Sequence, residues 1–127
     1  MNITAIAKLN EEATEIQSYL EVDCSEEMAE LVERGTMLTA YIARTGKMLA
    51  DAKYHQDDAL KSSILNKMDT GLTPSILAKL VSADCKDINY LVNWVERLNK
   101  AATHQLEWVR SMVSRIKAEM QMGGWQT

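Results

Sequence analysis

A single proline, Pro74, interrupts a chain of 127 residues. Proline removes an amide donor and clashes with the preceding turn, so it breaks a helix wherever it falls in the interior. The proline-free stretches on either side therefore leave room for unusually long helices, and hydrophobic periodicity fills both. From about residue 25 to 68, Met28, Leu31, Leu38, Ile42, Leu49, Ala52 and Ala59 follow steps of three and four, with Gly35 and Thr45 at two intervening seam positions. The spacing predicts a helix of about 40 residues, roughly 60 Å long. A second long helix is predicted over about 84–121 from the stripe Ile88, Leu91, Val95, Leu98, Ala102, Val109, Val113, Ile116 and Met120.

The clearest break is "MDTGLTPS". Gly71 can end the first long helix, Thr73 can cap the next, and Pro74 suits a first helical position. A short helix is predicted over 74–81, after which Asp84 can cap the second long one. Ahead of these, Ile3, Ile6, Ala13, Ile16 and Leu20 predict a helix over about 3–20, and Asp23 or Ser25 is placed to cap its successor. Residues 123–127 are expected to fray. Gly35 and Gly46 each cost about 1 kcal/mol relative to alanine in a helix interior, which predicts either a close helix contact or a bend.

The expected fold is all-α and a single domain over 1–127. It is a long antiparallel helical hairpin with a shorter N-terminal helix, resembling a three-helix bundle. A hairpin this long leaves apolar surface uncovered, so a homo-oligomer formed through the long helices is expected.

Charge is unevenly distributed. Residues 1–33 carry nine acidic residues against one lysine, net −8, whereas the remainder carries thirteen basic residues against nine acidic, net +4. The N-terminal segment is either a solvated acidic helix or one that docks on basic residues of the body or of a neighbouring subunit. Cys24 and Cys85 are far apart and lack metal-ligand spacing, which fits reduced thiols. Charges interrupt every apolar window, so no membrane span is expected, and the reading is a soluble, cytoplasmic protein.

Two helix edges carry chemistry beyond the core stripes. On the second long helix, Tyr90, Trp94, Arg97, Ala101, His104, Trp108, Ser111 and Arg115 fall on one face. Aromatic rings stack on nucleobases and guanidinium forks hold phosphate oxygens; the alternative is a packed edge with snorkelling arginines. On the first, Thr36, Ala40, Ala43, Lys47, Ala50 and Tyr54 share a face flanked by Tyr41, Arg44 and Asp51. Alanines permit close approach of a helix or a flat ligand, and the basic and phenolic groups would stand at its rim.

No glycine-rich phosphate loop, nucleophile elbow or paired-cysteine cluster occurs, so no catalytic residue, metal or cofactor is assigned. His55, Asp51 and Asp58 lie about one turn apart, a spacing compatible with a metal but common by chance in charged helices. The body's modest positive charge makes nucleic acid a less favoured partner than a small anion, which needs only one or two basic groups.

The segments "RGTMLTAYIARTGKMLADAKYH" and "NYLVNWVERLNKAATHQLEWVRSMVSRIKAEM" resemble small all-helical proteins of Bacteroides-type bacteria and their phages and prophages. The resemblance covers roughly Arg34 to Met120 and implies a mobile-element origin. More weakly, the chain is similar to phage proteins that sequester nucleotide immune signals, which are small, oligomeric and non-catalytic, with pockets formed between subunits. The expectation drawn is a non-enzymatic helical oligomer that captures a phosphate-containing, nucleotide-like small molecule of the cyclic or ADP-ribose type. In it, Arg44 and Lys47 would hold phosphate, Tyr41 or Tyr54 would stack on the base, and Trp94, Arg97, His104 and Trp108 would close the pocket. The alternatives are a phage recombination or replication accessory that contacts DNA or a DNA-handling protein, and a structural protein-interaction module.

Overall fold

The computed structural model describes residues 1–125. Four helices follow one another along the chain: α1 Ile6–Leu20, α2 Met28–Asn66, α3 Pro74–Asp84 and α4 Lys86–Trp125. No strand occurs among the described residues. The 39-residue α2 and the 40-residue α4 form the body, and the polar pairs that bridge them run antiparallel: Arg34 with Gln105, Thr45 with Asn99, Gln56 with Asn89. Cross-links of this kind fix register, because a slip of one residue would leave each buried polar group without its partner.

The core forms two clusters along this hairpin. One gathers Leu31, Leu38, Ala102, Leu106 and Val109. The other joins Met48 and Ala52 of α2 to Ile88, Leu91, Val92, Val95 and Leu98 of α4, and it is closed by Leu9, Ala13 and Ile16 of α1. The predicted α1 stripe holds at Ala13, Ile16 and Leu20, but its N-terminal end differs: Leu9, one turn further on along the same face, is buried, and Ile6 faces outward. On α2 the core likewise takes Met48 fully and Leu49 partly, because α1 lies against α2 as well as α4 and widens its buried arc beyond a single seam. At the far end of α4, Met120 is exposed, since neither α1 nor α2 reaches that turn.

Several expected helix ends move. Helix α2 stops at Asn66, five residues before Gly71, whose φ of 67° makes the turn that redirects the chain towards α3. Thr73 accepts a hydrogen bond from the Ile76 amide and Pro74 opens α3, as the sequence implies. Asp84, expected to cap the second long helix, instead ends α3 and accepts from Ser63 Oγ at 2.7 Å and from Lys67 Nζ. Only Cys85 separates α3 from α4, so the two meet at a kink with no loop between them. Neither Asp23 nor Ser25 caps α2: its N-cap is Glu27, with no side-chain bond, and Ser25 Oγ accepts from the Glu27 amide one step earlier. The frayed tail expected over 123–127 is replaced by helix to Trp125, and residues 126 and 127 lie outside the described residues.

The two helix-interior glycines have different roles. A Cβ on Gly35 would stand 3.5 Å from Val109, so this glycine lies at a close α2–α4 contact. Gly46 has nothing within 4 Å. Its conformational cost is uncompensated, and Gly46→Ala is expected to raise stability by about 0.5–1 kcal/mol, measured by urea denaturation with an unchanged slope.

Candidate functional site

The basic edge of α2 is covered by the chain's own N-terminal segment. Arg44 donates from Nε and Nη2 to Glu12 Oε2 at 2.8 and 2.6 Å, and a further bond reaches Thr4 Oγ1. Lys47 Nζ donates to Asp51 Oδ1 at 2.5 Å and to the Asn2 carbonyl at 2.9 Å. The Thr4 amide donates to Asp51 Oδ2, and His55 Nε2, which must carry the proton to do so, donates to the Thr4 carbonyl at 2.8 Å. Residues 2–4 thus lie strapped along α2 from Arg44 to His55. Part of the acidic N-terminal segment docks on the body through Glu12, while Glu11, Glu15, Glu21, Glu26 and Glu27 stay exposed.

Asp51 sits at the centre of that strap, 2 % exposed. Burial alone would raise its carboxyl, but the bonds from Lys47 and from Thr4 outweigh it and hold the pKa at about 2. The same bonds remove the metal reading: Asp51 and His55 are turned to the strap, and Asp58 is exposed without joining them.

The residues expected to form one pocket are therefore dispersed within the chain. Tyr41 packs edge-on against Tyr19, with ring centres 5.1 Å apart. Arg44 and Lys47 are spent on Glu12 and Asp51. Tyr54 is exposed beside His55. The alanine-lined face of Ala40, Ala43 and Ala50 meets solvent. His104 is exposed and pairs with Glu107 at 3.7 Å.

The α4 edge keeps more of the expected character. Trp94 lies half-buried where α1 crosses α4, its indole N–H donating to Gln17 Oε1 at 3.0 Å. Gln17 in turn donates to Glu21 at 2.7 Å, which fixes the carboxamide and through it the indole plane. Tyr90, 69 % exposed, stands with its ring centre 6.2 Å from that of Trp94. Together with Gln17, Glu21, Asn93 and Arg97 they line an open groove of 560 Å³ between α1 and α4. Arg97 makes no ion pair among the described residues, so its fork is available to the groove.

A second groove, of 430 Å³, lies further along the same face and is lined by Trp108, Gln105, Cys24 and Arg34 among others. Arg34 was not a predicted site residue. The spacing Leu31–Arg34–Leu38 also fits a helical stripe, but the predicted seam position between those leucines is Gly35.

No helix among the described residues is long and apolar enough to cross a membrane. No family model matches the chain, and no curated protein or solved structure is similar to it.

Proposed function

We propose that the protein is a non-catalytic binder that captures a phosphate-containing, nucleotide-like small molecule on the α1–α4 face and thereby sequesters it. The observation that carries this reading is the 560 Å³ groove, in which two aromatic rings and an arginine without an ion-pair partner among the described residues stand beside the carboxamides of Gln17 and Asn93, with the Glu21 carboxylate, bonded to Gln17, as the one acidic group of the lining. A base would stack on Tyr90 and Trp94, the carboxamides would meet its polar edge, and Arg97 would hold phosphate. Arg44 and Lys47 are given no part in it within one chain, because Glu12 and Asp51 already neutralise them.

Differential scanning fluorimetry against cyclic and linear nucleotides and ADP-ribose tests the reading. Ligand at about a hundred times Kd is expected to add about 2.7 kcal/mol, a rise of several degrees in Tm. Both Tyr90 and Arg97 are exposed, so the double variant Tyr90→Ala, Arg97→Ala should keep the ligand-free Tm and lose the rise. A rise of equal size in the double variant places the ligand elsewhere, and no rise with any nucleotide rejects the reading.

A second reading, an interaction module, draws on the other end of the hairpin. Leu60, Ile64 and Leu65 at the end of α2, Met68 just beyond it, and Ile76 and Leu80 of α3 are all exposed. Monomers seldom leave so much apolar side chain in one region without a partner. Light scattering that returns a mass above one copy at micromolar concentration would favour assembly through this end.

A further inference from the structure

We infer that Arg34 is a preformed oxyanion site, built to receive the phosphate or carboxylate group of a small molecule entering beside Trp108. It lies on a different set of residues from the Tyr90–Trp94–Arg97 groove and does not depend on that reading.

Arg34 is 8 % exposed. An arginine stays charged in any protein, and burying a charge is costly unless an opposite charge or a full set of hydrogen bonds compensates. Among the described residues no carboxylate pairs with it, and the arginine and lysine ion pairs are made by Arg44, Arg115 and lysines. Its partners are neutral. The guanidinium carbon lies 4.3 Å from the centre of the Tyr19 ring. Nη2 donates to Gln105 Oε1 at 2.8 Å. Gln105 is itself held, its Nε2 donating to the Leu20 carbonyl at 2.9 Å. The guanidinium plane is therefore fixed from two sides before any ligand arrives.

Among the described residues Nε and Nη1 make no hydrogen bond of ordinary geometry, although the Tyr19 side chain also interacts with the guanidinium. Yet no fully buried side-chain nitrogen or oxygen is left without a partner among the described residues. These two donors therefore keep contact with solvent, and Arg34 lines the grooves on both its sides. An oxyanion there would accept from a fork already held in place, in a setting shielded enough to make the charge-assisted bonds strong.

Charge in the surroundings selects the direction of entry. The groove on the Tyr19 side carries Asp23, Glu30 and Glu33, which repel an anion. The groove on the other side carries Asp23 alone and is otherwise lined by Leu20, Val22, Cys24, Gln105, Trp108 and Val109. Trp108, 42 % exposed, lines it as a large aromatic surface. The ligand class is thus an oxyanion on a molecule with a flat or apolar body, not a polyanion.

The test follows the arginine Nε–Hε signals of the full chain by NMR while inorganic phosphate is added at constant ionic strength. In a parallel arm acetate separates a phosphate from a carboxylate preference. The expected result is a saturable shift of the Arg34 signal, with the exposed Arg110, which lines neither groove, unmoved. Adenosine monophosphate should bind about tenfold more tightly than phosphate if Trp108 stacks on its ring, and Trp108→Ala should remove that gain. Arg34→Met fills the same space without the charge and should keep the helical circular dichroism while abolishing saturable binding of both anions. Asp23→Asn, which removes the nearest repelling charge, should tighten phosphate binding about threefold. The inference is overturned if neither anion shifts the Arg34 signal saturably. It is equally overturned if phosphate binds Arg34→Met as it binds the parent chain. A fall in both Tm and affinity in Asp23→Asn would identify Asp23 as the true counter-ion of Arg34, and that too would end it.

Discussion

Leu9→Ala is expected to destabilise the protein by about 3 kcal/mol, the cost of a leucine removed from a closed core site. Leu9 is fully buried, and with Ala13 and Ile16 it is the means by which α1 attaches to the hairpin. No other helix stands behind it, so the cavity cannot be filled by a neighbour sliding inwards. At this chain length the loss corresponds to a fall of about 10 °C in Tm, measured by circular dichroism at 222 nm. A second readout separates local from global effects. The Trp94 indole is held against α1 by Gln17, so loosening of α1 should shift tryptophan emission to the red before the hairpin melts. A Tm within about 2 °C of the parent chain would show that α1 adds little to the fold, contrary to its closed packing.

Asp51→Ala is expected to cost about 2 kcal/mol at neutral pH. The variant deprives the Thr4 amide and Lys47 of their acceptor and frees residues 2–4 from α2, although half-exposed Lys47 can recover water. The pH dependence carries the sign. A carboxyl held at about 2 in the folded chain, below its unfolded value, contributes stability in full above the unfolded pKa and loses it as pH falls through the folded one. The difference between parent and variant should therefore be constant above about pH 5 and shrink steadily from about pH 4 to pH 2. Asp84 is also held below the usual carboxylate range by bonds from Lys67 and Ser63, so the variant keeps some acid sensitivity of its own. A gap between the two chains that does not narrow on acidification would mean that the Asp51 carboxylate is not the group that matters. Chemical denaturation across pH 2–7 provides the measurement.

The dispersal of the expected site has one physical root. Helical spacing tells which side chains share a face but not what lies across from that face. Tyr41, Arg44, Lys47 and Asp51 do lie along one side of α2, and from the sequence alone their complement could be solvent, a ligand or another subunit. The complement turns out to be Asn2, Thr4 and Glu12 of the same chain, for the N-terminal segment folds back over a distance of more than thirty residues in sequence. The acid–base asymmetry of the chain hinted at such a contact but could not choose which of nine acidic residues would make it. Arg34 shows the converse. The seam position predicted between Leu31 and Leu38 is Gly35, and only the packing of Tyr19 and Gln105 around Arg34 reveals a buried charge with neutral partners.

By itself the sequence determined the all-helical class, the two long helices, the break before Pro74 and most of the α4 core stripe. These follow from local rules: a lone proline, a three-four periodicity and the capping chemistry of Thr73, each of which acts within a few residues. The tertiary structure alone decided where α1 lands, which of Ile6 and Leu9 is buried, that Asp84 serves Ser63 and Lys67 instead of capping α4, and which basic groups remain open to a ligand. Those outcomes depend on charges and apolar faces distant in sequence meeting in space, and the burial and pairing that result are set by the whole arrangement, not by any one helix.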